Sequence, residues 1–255
     1  MYRLYRSLTT VFMFLVFSLG AIVLGSFINM LIGIFVKNPR RRQLLLRIIT
    51  QKSFSIFLWM CAILSVFKVK YENFNNLKTL KNHVIISNHP TLVDYIIIFS
   101  HLNNHTNVMV ADKLKNSFMK MIINNMGYIS NNIDIKNISD ILKTDDNILI
   151  FPEGTRTKAT NNIKFLRGAV NFSLRNNMPV VPVFIHCSEP KFLSEKFISW
   201  IAPKTEPIFS VIHGEIIYPQ NYIKSNDALP IQIRNFNSYL ENLYQEKIKD
   251  WNTEI

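Results

Sequence analysis

Two short apolar runs in the middle of the chain each end in a tight cluster of polar residues. The run His83–Ser87 leads into Asn88–Asp94 (NHPTLVD), and the run Asn147–Ile150 leads into Phe151–Arg156 (FPEGTR). Apolar runs of this length, bounded by turn-forming residues, are typical of buried strands. Because α/β proteins gather their chemistry at strand ends, the pattern predicts two strand ends that each deliver polar side chains.

The rest of the chain alternates between strand-like and helix-like segments, which is typical of a layered α/β fold. We predict a mixed sheet flanked by helices, with strands at His83–Ser87, Asn107–Ala111, Asn147–Phe151, Val180–His186 and Phe209–Ile217. The predicted helices are Leu92–Leu102, Leu114–Met126, Ile138–Lys143, Gly168–Asn176 and Leu229–Trp251.

The first polar cluster contains the parts of a general base. His89 can take a proton from a hydroxyl if one ring nitrogen is free and the other is held by an acceptor. Asp94 can be that acceptor, about one helical turn away if a helix starts after Pro90. These are two members of a triad-like arrangement. Since the sequence has no Gly-x-Ser-x-Gly elbow to supply a serine, we expect the substrate's own hydroxyl to be the nucleophile.

The second polar cluster has the composition of an anion site. Arg156 offers a planar fork of donors that suits phosphate, and Gly154 lets the backbone approach a ligand closely. A second arginine and a second glycine follow within Phe165–Ala169 (FLRGA). A Pro-Glu-Gly sequence alone is a turn, and a lone arginine is usually a surface charge. Together and in this order, these residues favour phosphate binding.

These segments resemble the motifs of the glycerolipid acyltransferases, the family that includes 1-acylglycerol-3-phosphate acyltransferases. Asn88–Asp94 matches the family's Asn-His-x-x-x-x-Asp motif, and Phe151–Arg156 matches its Phe-Pro-Glu-Gly-Thr-Arg motif. Phe165–Ala169 is similar to its Phe-x-x-Gly-Ala element, and Val180–Ile185 is similar to its final Val-Pro-Val strand. The resemblance covers roughly residues 80 to 190.

The resemblance implies that an acyl group moves from a thioester, either acyl-CoA or an acyl-carrier protein, to an acceptor hydroxyl. It makes His89 the general base and Asp94 the residue that orients it. The expected acceptor is a lysophospholipid such as 1-acylglycerol-3-phosphate, and neither a cofactor nor a metal site is expected. The residues that the resemblance assigns to substrate binding are Asn88, Glu153, Gly154, Thr155, Arg156 and Arg167.

One departure from the family pattern leaves the acceptor open. Family members often carry an arginine five residues after a glycine between the two motifs, whereas Gly127 is followed by Asn132 at that position. Another lipid, or a lipid-anchored secondary metabolite, is therefore an alternative acceptor. A membrane-bound metal-dependent hydrolase using His89, Asp94 and Glu153 is a second alternative, although the other histidines show no ligand spacing within a clear site.

The N-terminus predicts attachment to a membrane. Ser7–Val36 contains no charged residue, and a bilayer span takes about 20 residues. The basic residues that follow favour an uncleaved anchor over a signal peptide. Asn38-Pro39 is typical of a helix start, and this second helix is apolar from Phe54 to Phe67. We expect it to lie in or dip into the cytoplasmic leaflet, with packing against the catalytic core as the alternative.

Charge and cysteine usage complete the prediction. The formal net charge of +12 implies an anionic partner. The basic segment Lys37–Lys52 suits an anionic membrane better than nucleic acid, because it is not interleaved with stacking aromatics in a recognised motif. We therefore expect a membrane appendage over residues 1–70 and a catalytic domain over residues 71–255, on the cytoplasmic side of a bacterial inner membrane. Cys61 and Cys187 are expected to be buried free thiols.

Overall fold

The computed structural model describes residues 2–112, 120–132, 142, 145–154, 163–194, 202–222 and 227–253. Its helices are α1 Tyr2–Ile22, α2 Asn29–Phe35, α3 Pro39–Ile63, α4 Asp94–Phe99, α5 Lys120–Asn125, α6 Gly168–Asn176 and α7 Leu229–Thr253. Its strands are β1 Lys68–Glu72, β2 Val84–Ser87, β3 Thr106–Val110, β4 Ile129–Ser130, β5 Asn147–Ile150, β6 Val180–Cys187 and β7 Ile208–His213. A π-helical turn, Val23–Ile28, joins α1 to α2.

The described strands form one sheet in the order β1-β7-β6-β2-β5-β3-β4. Every neighbouring pair is parallel except β6 and β7, which run antiparallel, so the predicted mixed sheet is confirmed. Strands β1 and β4 were not predicted. The sequence of β1 (KVKYE) alternates charged and apolar residues at a sheet edge, and β4 has two residues, so neither produces the apolar run of a buried strand.

Several predicted boundaries differ from the observed ones. The predicted strand Phe209–Ile217 ends at His213, and the predicted helix Leu92–Leu102 is limited to Asp94–Phe99. The predicted helix Ile138–Lys143 lies outside the described residues, apart from residue 142. These differences arise at segment ends, where a few hydrogen bonds decide whether a turn continues.

Helices cover both faces of the sheet. Along β6, Val181 and Val183 pack into a core that also contains residues of α1, α3 and α4. Val180 and Phe184 pack on the opposite face with α6 and α7. Because successive side chains of a strand point to opposite faces, a strand that is buried on both sides needs a continuous apolar sequence. This is why the strands beside the site are such clear apolar runs.

Helices α1 and α2 form one apolar segment of 34 residues with a mean hydropathy of 2.5, and α3 has 25 residues with a mean hydropathy of 1.3. Each is long and apolar enough to cross a bilayer. Both segments pack against the catalytic core through one face, where Met13 and Cys61 are buried. The other face of α3 leaves Ile56, Trp59 and Ile63 exposed.

The basic residues of α3 are used inside the protein more than the sequence suggested. Arg47 is fully buried, and its guanidinium donates to the carbonyl of Met126 at 2.8 and 2.9 Å. Arg40 forms an ion pair with Asp146, and Arg42 donates to a side chain of α2 at 2.7 Å. Half of the six basic side chains in this helix and the loop before it therefore hold the helix to its neighbours. The division at residue 70 stays a prediction.

Candidate active site

The two polar clusters meet at the carboxyl edge of the sheet. Strands β2 and β5 are parallel neighbours with Ile86 opposite Ile150, so both motifs start at the same edge. There the main-chain N–H of His89 donates to Glu153 Oε1 at 3.0 Å. The ring of Phe151 packs on the imidazole, with centroids 4.6 Å apart. The predicted strand ends are confirmed, and the tertiary structure brings the two clusters into direct contact.

His89 and Asp94 form a hydrogen-bonded pair. Nδ1 of His89 lies 2.9 Å from Oδ2 of Asp94. Because a carboxylate only accepts hydrogen bonds, the proton in this contact belongs to Nδ1, and Nε2 is left with its lone pair. The Asp94 side chain is 0% exposed, whereas that of His89 is 24% exposed. A buried carboxylate thus orients a partly accessible base.

Thr91 holds Asp94 from the other side. Its main-chain N–H donates to Oδ2 of Asp94 at 2.7 Å, and its hydroxyl donates to Oδ1 at 2.5 Å. With His89, three donors surround a carboxylate that is shielded from water, and they offset the cost of burying its charge. Helix α4 starts at Asp94 itself, two residues after the predicted start at Leu92, so no helix begins directly after Pro90. The turn between Pro90 and Asp94, fixed by Thr91, brings the two side chains together.

The side chain of Asn88 is buried against the neighbouring strand β6. Its Nδ2 donates to the carbonyl of Ile185 on β6, and its Oδ1 accepts the N–H of the same residue, both at 2.8 Å. The side chain is buried, so this pair of bonds locks the start of the catalytic loop onto the neighbouring strand. The predicted contact of Asn88 with substrate stays a prediction.

Gly154 adopts a backbone conformation that favours glycine, with φ at +67°. A Cβ at this position would lie 2.7 Å from Cδ1 of Leu166, so the side chain of Leu166 closes directly over the glycine. The main-chain N–H of Leu166 donates to the carbonyl of Pro152 at 2.7 Å, which joins the two ends of the intervening loop. Thr155 and Arg156, two of the predicted substrate-binding residues, lie outside the described residues.

Arg167 is exposed and directly precedes α6. In the described part of the chain, its guanidinium makes no hydrogen bond to either motif. The structure therefore brings together His89, Asp94, Glu153 and Gly154, and places Arg167 beyond the loop that follows them. Its predicted role in binding the acceptor stays a prediction.

An apolar cavity of about 110 Å³ lies beside the catalytic loop. The loop contributes Leu92 and Val93, the N-terminal helices contribute Met13, Phe17 and Phe57, and the segment after β6 contributes Leu193. The main-chain N–H of Leu92 also donates to the carbonyl of Leu193 at 3.1 Å. Sequence reasoning missed this role of the N-terminal helices, because apolar periodicity does not reveal what a helix faces.

Tyr244 is a second residue near the site that the sequence did not indicate. Its hydroxyl donates to the carbonyl of Ile86 on β2 at 2.7 Å and lies 3.3 Å from that of Val183 on β6. Burial raises the pKa of this phenol, and the charge of Glu153 adds to the effect. The phenol therefore remains a donor that joins β2 to β6.

The cysteines and the possible metal ligands are the other candidate reactive groups besides the His89–Asp94 pair. Cys61 and Cys187 are buried free thiols, as predicted. Within the described ranges, no three His, Cys, Asp or Glu side chains cluster as the ligands of a metal ion would. The groups assembled beside His89 are thus those of proton transfer.

Comparison with known proteins agrees with this geometry. Residues 68–186 match the family model described as Acyltransferase, and this segment contains β1 to β5, β6 except its last residue, and both motifs. None of the curated proteins has a sequence that matches the chain. The crystal structure of the 1-acyl-sn-glycerophosphate (LPA) acyltransferase PlsC from Thermotoga maritima superposes with a TM-score of 0.74. It is 15% identical, and the alignment covers 98% of each chain.

The fold and the paired motifs define an acyltransferase with a His–Asp base at the carboxyl edge of its sheet. Residues 68–186 form an Acyltransferase domain, and the protein is an O-acyltransferase whose motifs resemble those of the glycerolipid acyltransferases.

Proposed function

We propose that the protein transfers a fatty acyl group from a soluble thioester to the free hydroxyl of a lysophospholipid such as 1-acylglycerol-3-phosphate. The observation that carries this proposal is the 2.9 Å contact between His89 Nδ1 and Asp94 Oδ2, which leaves Nε2 as the base. The thioester is acyl-CoA or an acyl-carrier protein. It serves as a co-substrate, and the residues at the site need no further cofactor for this chemistry.

In the proposed reaction, Nε2 of His89 takes the proton of the acceptor hydroxyl as the oxygen attacks the thioester carbonyl. Asp94 stabilises the imidazolium that results, because its carboxylate already accepts the Nδ1 proton. Collapse of the tetrahedral intermediate breaks the carbon–sulfur bond, and the leaving thiolate takes the proton back from Nε2. The base is regenerated, and the products are an ester and a free thiol.

The acceptor's phosphate is proposed to bind on the loop that begins at Glu153. One oxygen of Glu153 already accepts the main-chain N–H of His89, so the loop and the base are held in fixed relation. Arg156 and Arg167 are the proposed cations, and Gly154 allows the backbone to approach the ligand. A lysolipid with another headgroup is the second candidate, since Gly127 is not followed by an arginine at Asn132.

We also propose that α1 to α3 lie within one leaflet at the cytoplasmic face of the bacterial inner membrane. Exposed apolar side chains recur along one face of α1 at helical spacing, namely Leu4, Leu8, Phe12, Leu15 and Leu19. A soluble protein rarely exposes such a continuous apolar surface. Near the start of the same helix, Arg3 donates to the carbonyl of Ala202 at 3.0 Å. The first half of helix α3 is likewise hydrogen-bonded to the catalytic domain, through Arg40, Arg47 and Gln51. We therefore infer that neither helix crosses the bilayer alone.

The test measures acyl transfer to 1-oleoylglycerol-3-phosphate in vesicles, with acyl-CoA and acyl-carrier protein compared as donors. His89→Ala is expected to lower turnover by about 10²–10⁴-fold, the usual contribution of general-base catalysis. His105→Ala, at the opposite end of the sheet, is the matched control and should retain activity. A chelator should leave transfer unchanged. Wild-type turnover in the His89→Ala protein, or loss of activity with the chelator, would contradict the proposed mechanism.

A further inference from the structure

Helix α7 carries a polar stripe on the side that faces the site. Its buried apolar residues include Ile233, Phe236 and Leu240. Four residues with polar side chains lie beside them, namely Asn237, Glu241, Tyr244 and Gln245. Their spacings of four, three and one positions place them near one face of the helix. The helix follows the segment that matches the acyltransferase family model, which ends at residue 186.

Two of these side chains bind both main-chain groups of Phe165. Oε1 of Glu241 accepts the N–H of Phe165 at 2.7 Å, and Nδ2 of Asn237 donates to its carbonyl at 3.3 Å. The same Nδ2 donates to Glu241 Oε1 at 3.1 Å. Gln245 extends the contact, because its Nε2 donates to the carbonyl of Ile163 at 3.2 Å.

Phe165 stands at the base of the loop that begins at Glu153. The next residue, Leu166, donates its N–H to the carbonyl of Pro152 and closes over Gly154. The segment Phe165–Leu166 is therefore fixed twice, once to Pro152 and once to α7. Tyr244, three residues after Glu241, joins the same helix to Ile86 on β2, the strand that leads into His89.

The chemistry of Glu241 indicates that it is there to fix geometry. Burying part of a carboxylate costs free energy because the group loses hydration, and an apolar side chain at the same place would not have this cost. Glu241 forms no ion pair with any described residue, and its charge is directed at one main-chain N–H and one amide. A charged acceptor makes a stronger and more directional bond to an N–H than a neutral one.

We infer that Glu241 is a positioning residue for the acceptor: it fixes Phe165 and Leu166, where the chain returns from the loop that starts at Glu153, and thereby sets the place of the acceptor's phosphate relative to His89. This inference rests on the proposed function of that loop. Thr91 holds the side chain of Asp94, and the contact of Glu153 with the main chain of His89 does not involve α7. Loosening Phe165 and Leu166 should therefore weaken acceptor binding and leave the base intact.

The experiment compares Glu241→Ala and Glu241→Gln with Glu246→Ala, an exposed glutamate on the same helix, as the matched control. In Glu241→Ala, the KM for 1-oleoylglycerol-3-phosphate should rise roughly tenfold, because a buried hydrogen bond to a charged group is lost. The KM for the acyl donor and the pH profile of kcat should not change. Glu241→Gln keeps an acceptor oxygen and should stay close to the wild type. Hydrogen exchange at the Phe165 amide should accelerate in Glu241→Ala alone.

An equal rise of both KM values, a fall in kcat alone, or equal behaviour of Glu241→Gln and Glu241→Ala would overturn the inference. If Glu241→Ala does not fold, Asn237→Ala carries the same test, because Asn237 bonds the carbonyl of the same residue. If the wild type acylates no lysolipid, the proposed function fails separately. In that case, faster exchange at the Phe165 amide would still support the contact, and unchanged exchange would overturn it.

Discussion

Replacing Thr91 by valine removes one hydroxyl and keeps the size of the side chain. That hydroxyl donates to Asp94 Oδ1 at 2.5 Å, and the carboxylate it reaches is 0% exposed. A hydrogen bond to a charged group contributes about 1.5–3 kcal/mol. If this amount is lost from the transition state, kcat should fall roughly ten- to hundredfold, at about 1.4 kcal/mol for each factor of ten.

The loss should remain smaller than that of His89→Ala, because Asp94 keeps two other donors. The main-chain N–H of Thr91 at 2.7 Å and Nδ1 of His89 at 2.9 Å do not depend on the threonine side chain. Thr91 is buried and its hydroxyl is bonded to Asp94, so we expect the KM values for donor and acceptor to be unchanged. Thr91→Ser retains the hydroxyl and should recover most of the activity.

The assay is steady-state acyl transfer with both substrates varied, together with thermal unfolding of each variant. Unfolding identifies any variant whose loss of rate reflects loss of folded protein. Thr91→Val at the wild-type kcat would show that the hydroxyl does not hold Asp94 during catalysis. A Thr91→Ser protein as slow as Thr91→Val would refute the reasoning in a second way, since it would assign the effect to packing.

Two further predictions concern the loop and the membrane face. Gly154→Ala should lower the free energy of unfolding by about 1–2 kcal/mol because alanine is strained in a left-handed backbone conformation, and chemical denaturation measures this loss. Adding Leu166→Ala should restore only the part of the loss that is due to the 2.7 Å contact. Full restoration of the free energy of unfolding would mean that the backbone is unstrained. Phe12→Gln, Leu15→Gln and Leu19→Gln together should weaken binding to anionic vesicles by roughly tenfold or more, because each removes apolar area from lipid. The matched control replaces Tyr218, Tyr222 and Ile231, which are also exposed, by glutamine. If flotation assays show an equal loss of vesicle binding in both proteins, α1 does not provide a specific membrane face.

The contacts that α1 and α2 make with the rest of the protein are a reason to prefer such surface substitutions over truncation of the N-terminus. Removing residues 1–36 would delete Met13 and Phe17, which line the cavity beside the catalytic loop. It would also remove the partner of Arg42 on α2. Loss of activity in a truncated protein would therefore not distinguish a missing membrane contact from a damaged site.

The features that could be predicted from the sequence are those whose signals are local. Residues separated by a few positions, such as His89 and Asp94, can be judged as a pair because the chain limits how far apart they can lie. The apolar strands beside the site were found for the same reason: a strand covered on both faces must be apolar throughout. The short edge strands β1 and β4 lack that constraint and were missed.

Contacts between residues that are far apart in the sequence could not be predicted and are seen only in the folded protein. The contact between His89 and Glu153 follows from the pairing of β2 with β5, which no local pattern specifies. Asn88 belongs to the first motif, yet its amide binds Ile185, 97 positions away. In the sequence, nothing distinguishes Glu241 from the other charged residues of an amphipathic helix. Its contact with Phe165 forms only when α7 packs on the sheet. Spacing along a chain limits neighbours within a turn or strand, whereas contacts across the sheet depend on the free energy of packing the whole fold.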